Sequence, residues 1–176
     1  ISYGHGIAVT PMAFLEGFSA FANGGERVTP TLVADDARKA VPVRVMSALT
    51  TDMVNAMMRE AVLTGTGKRA EVAGYRVAGK TGTAEKPIPG GYDDRRNVTS
   101  FAAIFPYDRP QYALIVTLDD PKVGAERGDT AALNAAPTAG RIIERVAPLL
   151  GLAPRFEGVR PAGAELRSAS DERSSL

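Results

Sequence analysis

The stretch Gly79-Lys80-Thr81-Gly82-Thr83-Ala84 decides how the rest of this chain is read, because it fits two incompatible folds. Gly74, four intervening residues, and then Gly79, Lys80 and Thr81 match the phosphate-loop pattern G-x-x-x-x-G-K-[ST]. On that reading Tyr112 to Asp119 imitates an apolar strand ending in a magnesium-holding aspartate. A phosphate loop also needs a buried strand before it and a helix beginning near the lysine, whose N-terminal amides hold the phosphates. Gly82, Pro87, Pro89, Gly90 and Gly91 would interrupt that helix, and Tyr75-Arg76-Val77-Ala78 is strand-like sequence. The other reading puts Lys80 on a strand that continues through Thr83, with side chains alternating between faces. Gly82 then leaves backbone bare for an extended peptide, and the Lys80 ammonium with the Thr81 and Thr83 hydroxyls can receive a carboxylate.

Working outward, Tyr75 to Ala84, Val98 to Phe105 and Gln111 to Leu118 are rich in β-branched and aromatic residues and read as three strands. The last two are close enough for an antiparallel hairpin. The link between the first two holds Pro87, Pro89, Gly90, Gly91 and the run Asp93-Asp94-Arg95-Arg96, and reads as a mobile, solvated surface loop. Asp119 and Asp120 read as a strand end rather than a metal site.

Before the strands, Thr10-Pro11 is a helix start and Asn23-Gly24-Gly25 a stop, predicting a helix from Pro11 to Ala22. Ser47 caps a second, in which Leu49, Met53, Met57 and Ala61 recur beside Val54, Met58 and Val62. That broad apolar face predicts a well-buried helix with methionines as core filler, ending at Gly65 and Gly67. After the strands, Ile142, Ile143, Val146, Leu149 and Leu150 mark one face of a final helix that Pro137 begins or kinks and Gly151 stops. Two helices, three consecutive strands and a helix predict an α+β layer. Residues 154–176 lose periodicity and read as a disordered tail, leaving 1–153 as the folded part.

Composition narrows the chemistry. With 44% hydrophobic and 23% charged residues the chain is expected to pack as one domain or part of one. A net charge of +1, with both signs scattered, offers no footprint for nucleic acid. Zero cysteines exclude thiol catalysis and thiolate metal sites. A single histidine, His5, in a glycine-rich loop, excludes a His-rich metal site and reads as structural, so neither metal nor cofactor is expected. No apolar run approaches the ~20 residues of a membrane helix. The first residue is Ile1 and no leader pattern follows it, so the chain reads as a piece of something longer.

Lys80-Thr81-Gly82, followed by Thr83-Ala84, resembles the third active-site motif of penicillin-binding proteins, which accompanies S-x-x-K and S-x-N. Other strings fall in that family's order: Tyr3-Gly4-His5-Gly6 running into Val9-Thr10-Pro11, Thr64-Gly65-Thr66-Gly67, Ser100-Phe101 to Phe105-Pro106, and Leu118-Asp119-Asp120-Pro121. Together they cover residues 1 to 151. The match is to class B enzymes, and Gly90-Gly91-Tyr92 with Ala147-Pro148-Leu149-Leu150-Gly151 look most like the cell-division, septal type, although elongation types share the main motif.

The resemblance implies an antiparallel sheet covered by helices, the C-terminal part of a serine β-lactamase-like transpeptidase domain, with the Lys80 motif on an edge strand. It implies a serine that attacks the terminal D-Ala-D-Ala of a peptidoglycan stem peptide, releases D-alanine and passes the acyl group to an amine; β-lactams acylate the same serine. Carried onto this chain, Lys80 sets the local electrostatics and proton network, and Thr81 and Thr83 bind the substrate carboxylate. Gly82 keeps the strand accessible, the Thr83 N–H supplies half of the oxyanion hole, and Tyr92 is a candidate rim residue. A glycan-polymerising division partner, a periplasmic site and an upstream membrane anchor are also implied. No serine in the chain is followed by lysine three or asparagine two positions later, so the nucleophile is expected upstream and the chain alone is expected to be inactive. Residues from upstream would then cover much of the apolar helical face. A non-catalytic interaction module of the same fold is the other alternative.

Overall fold

In the computed structural model, which describes residues 7–33, 41–122 and 130–156, Thr10 accepts a hydrogen bond from Ala13 N and opens α1, Pro11–Ala22. Ser47 does the same for α2, Ala48–Leu63, through Thr50 N. Between them two short strands, β1 (Glu26–Arg27) and β2 (Val43–Arg44), pair antiparallel; the sequence reading had no strands there. A one-turn 3₁₀ helix, Lys68–Ala70, follows α2 and leads to β3 (Ala78–Ile88), β4 (Gly91–Phe105) and β5 (Tyr112–Asp119). These three form an antiparallel sheet in the order β3-β4-β5, and α3, Ala135–Val146, closes the described fold. The α+β architecture is as the sequence predicts.

The sheet has a helical layer on each face. Val77, Phe101, Ala103, Phe105 and Val116 pack with Ala135, Ala136, Ala139, Ile143 and Ala147 of the α3 segment. Ala78, Ala102 and Ile104 pack on the other face with Phe18 of α1 and Met58 of α2. Asn134 caps α3 by accepting from Ala135 N at 2.6 Å, and Pro137 falls in the first turn, where a missing N–H removes no helical bond.

Four expectations need correction. The link from Pro87 to Arg96 is not a loop: β3 and β4 run on as a hairpin in which Ile88 pairs with Gly91 around Pro89-Gly90. Gly90, at φ +89°, takes the left-handed position that follows proline in a tight turn of type II pattern, and an edge strand tolerates Pro87. The ladder shifts between Glu85 and Lys86, which pair with Asn97 and Asp93, so residues 94–96 form an insertion in β4. The first strand begins at Ala78 rather than Tyr75, because Gly74 (φ +86°) and Arg76 (φ +46°) break the extended backbone.

The buried stripes of two helices also differ from the predicted ones. On α2, Thr51, Asn55, Met58 and Val62 are buried, whereas Leu49, Met53 and Met57 are 71%, 55% and 61% exposed. Thr51 and Asn55 tolerate burial by donating to Ser47 O at 3.1 Å and Phe21 O at 2.9 Å. Among the methionines of α2 only Met58 is core, and no described residue covers the 49-53-57 face. On α3 Ile143 is buried as predicted, but the rest of the buried stripe is small, and Gly140 sits where a Cβ would stand 3.0 Å from Arg69 O. Close approach through alanine and glycine turns Ile142, Leu149 and Leu150 outward. The predicted tail begins at Pro154; Arg155 N donates to Gly74 O at 2.8 Å, and residues 157–176 lie outside the described residues.

Candidate active-site strand

Among the described residues β3 pairs with β4 on one side only, so no strand lies along its other edge. Two glycines give that edge its character. Gly79 is buried against β4, where a Cβ would stand 2.5 Å from Ala102 O and 2.6 Å from the Phe101 ring. At Gly82 a Cβ would meet no atom within 4 Å. The strand is thus pinned at Gly79 and bare at Gly82. Arg59 of α2 holds the chain just before β3, donating to Val77 O at 2.6 Å while pairing with Glu71 through both guanidinium nitrogens, one of them at 2.8 Å.

Register and alternation separate the polar groups. Thr81 pairs with Phe101 and Thr83 with Thr99, on the face covered by α3; Lys80 pairs with Ala102 and Gly82 with Ser100, on the face covered by α1 and α2. The lysine and the two threonines therefore stand on opposite faces of one strand rather than lining one wall. Lys80 Nζ curls along the backbone and donates to Thr81 O at 2.9 Å. Thr81 Oγ1 is 2.7 Å from Thr66 Oγ1. Thr83 Oγ1 accepts from Ala131 N at 3.1 Å, which ties the motif strand to the segment leading into α3 and leaves the hydroxyl proton available to a ligand. Beside Gly82, the Ser100 and Thr117 hydroxyls lie 3.2 Å apart across β4 and β5.

Lys80, Thr81, Gly82 and Thr83 are thus consecutive on one accessible strand. Tyr92 is not brought to them: it pairs with Pro87 near the hairpin tip, seven residues past Lys80 and roughly 20 Å along the strand. Thr66 joins these residues without any signal in the sequence marking it as a site residue; only the fold shows that the turn after α2 reaches β3. Of the acidic run, Asp93 accepts from Arg96 Nε at 2.6 Å, and this contact raises the pKa of the exposed guanidinium above its ordinary value. Asp119 receives Lys86 Nζ on both oxygens at 2.7 and 2.8 Å, and Asp120 pairs with Lys122. Among the described residues there is no cluster of three or more His, Asp and Glu able to hold a metal. His5 lies outside the described residues.

The phosphate-loop reading is overturned. After Thr81 the chain continues as strand to Ile88, so no helix N-terminus stands where phosphates would sit, and Lys86 occupies the carboxylate of Asp119.

Comparison with known proteins agrees with the strand reading. The family model for the penicillin binding protein transpeptidase domain matches residues 1–144. A probable peptidoglycan D,D-transpeptidase FtsI of Caulobacter vibrioides is 38% identical over 187 residues, covering 97% of this chain and 31% of the relative. Stage V sporulation protein D of Bacillus subtilis is 34% identical, covering 88% of this chain and 25% of the relative. Among solved structures, the transpeptidase domain of Burkholderia pseudomallei penicillin-binding protein 3 superposes with a TM-score of 0.78 at 31% identity, covering 88% of this chain and 46% of that one. The ampicillin complex of Mycobacterium tuberculosis penicillin-binding protein 3 gives 0.72 at 28% identity, covering 90% and 38%. The chain spans about a third or less of the length of the curated relatives it matches. With a bare motif strand at the sheet edge and a family match over most of its length, the chain belongs to the penicillin-binding protein transpeptidase domain family.

Proposed function

We propose that this chain supplies the substrate-binding strand of a peptidoglycan D,D-transpeptidase that works through a serine acyl-enzyme and is acylated by β-lactams. The observation that carries this is Lys80-Thr81-Gly82-Thr83 on β3, along whose outer edge no described strand lies, with Gly82 open to an approaching backbone. An extended stem peptide would add to that edge by main-chain hydrogen bonds. Thr81 and Thr83 would receive its terminal carboxylate, and the Lys80 ammonium would favour negative charge at the reacting end. The Thr83 N–H would stabilise the oxyanion opposite the amide of the nucleophile.

The serine would come from a part of the domain outside these residues, residues 1–153 being the C-terminal portion. A septal role with a glycan-polymerising partner, on the periplasmic side of the inner membrane with an upstream anchor, follows from the same resemblance. Among the described residues no helix is long and apolar enough to cross a membrane.

In the intact protein, Lys80→Ala should slow acylation by a fluorescent penicillin by at least about a hundredfold, with the melting temperature unchanged. Unchanged labelling would remove the role given to Lys80. The 176-residue chain alone should not label. The coding sequence upstream of Ile1 should carry S-x-x-K and S-x-N; their absence would instead point to a non-catalytic module of this fold.

A further inference from the structure

The turn after α2 brings one more hydroxyl to the motif strand. Thr66 is exposed, and its Oγ1 lies 2.7 Å from Thr81 Oγ1. The turn that carries it is folded tightly onto the end of α2. A Cβ at Gly65 would stand 2.8 Å from Ala61 O, and one at Gly67 would stand 3.1 Å from both Ala61 O and Val62 Cγ2. Gly67 N donates to Ala61 O at 3.0 Å and Ala70 N to Gly67 O at 2.8 Å. Thr64 donates back to Glu60 O through its N–H at 2.9 Å. The two glycines therefore let the backbone close down on the helix, and that closure fixes where Thr66 stands relative to β3.

Each of the two hydroxyls has one proton and can accept as well. If Thr81 donates to Thr66, its proton is spent and only lone pairs face a ligand. If Thr66 donates to Thr81, the Thr81 proton is free to point outward. An ionised carboxylate only accepts, so it requires the second arrangement, in which Thr66 O–H, Thr81 O–H and carboxylate form a chain whose bonds strengthen one another. We propose that Thr66 is a positioning residue that orients the Thr81 hydroxyl toward the carboxylate of the substrate or β-lactam. The inference rests on the reading of Thr81 as a carboxylate ligand.

The test uses the intact transpeptidase that contains this segment, and reads the second-order acylation rate with benzylpenicillin and with its methyl ester. Thr66→Val keeps the shape and removes the hydroxyl. It should slow acylation by the free acid about five- to tenfold, the size of one net hydrogen bond, and leave the ester's rate unchanged. Thr66→Ser should restore the rate, and Thr66→Ala should reproduce the loss should valine perturb the turn. In a Thr81→Val background, Thr66→Val should cost nothing further. Equal slowing of acid and ester, or an undiminished loss on top of Thr81→Val, would overturn the positioning role. Slowing by Thr81→Val with no effect of Thr66→Val would overturn this inference alone, whereas no effect of Thr81→Val would overturn the reading of Thr81 beneath it.

Discussion

On the α3 face of the sheet, Phe101, Ala103, Phe105 and Val116 are buried against a helix whose inner side is alanine, glycine and one isoleucine. On the opposite face, Ala78, Ala102 and Ile104 are buried, but the helices over them turn Leu49, Met53 and Met57 outward, and Val43 and Val45 nearby are also exposed. The first face is covered by a helix of small residues; the second is covered by helices whose own outer side carries larger, exposed apolar residues. Apolar patterning marks a helix as one that packs, but it does not say whether the packing partner lies in the same stretch of chain. The motif strand sits at the edge shared by the two regions, with Thr81 and Thr83 toward the α3 face and Lys80 and Gly82 toward the α1 and α2 face.

The contrast can be broken experimentally. Phe101→Ala, on the α3 face, should destabilise the protein by about 3–5 kcal/mol, measured by urea unfolding, because a fully buried ring leaves a cavity. Met53→Ala should cost under about 0.5 kcal/mol in the 176-residue chain and about 2 kcal/mol or more in the intact domain. Equal costs in both settings would show that nothing covers the 49-53-57 face. The glycines of the motif sharpen the comparison further. Gly79→Ala should cost about 1–3 kcal/mol from its clash with Ala102 O and the Phe101 ring, while Gly82→Ala should leave stability within about 0.5 kcal/mol and reduce β-lactam labelling instead.

Much of this arrangement was legible in the residues. Thr10-Pro11 and Ser47 placed two helix starts, and Lys80 to Thr83 identified an accessible strand, because capping and alternation are local effects. The hairpin tip is not legible because proline and glycine break most strands, whereas here Pro87 is harmless on an edge strand and Pro89-Gly90 builds the turn. The buried faces of α2 and α3 were assigned by side-chain size. Hydrogen-bonded Thr51 and Asn55 are buried instead on α2, and close-packing Ala139 and Gly140 on α3, which only tertiary contacts decide. Thr66 and Thr81 are fifteen residues apart, and no periodicity predicts that their hydroxyls meet.

The contact between Arg155 and Gly74 bears on the order in which the fold can be completed. Arg155 N bonds to Gly74 O, and its guanidinium reaches Asp108 at 2.9 Å, so a segment synthesised after α3 fastens the chain just ahead of the motif strand. Closing so long a loop costs only slightly more than closing a shorter one, but contacts of such wide sequence separation slow folding. A chain stopped at Gly151 would keep every strand and helix described above, yet the entrance to β3 would lose its fastening to Arg155. Refolding and protease resistance around Gly74, rather than overall helix content, are where that loss would register.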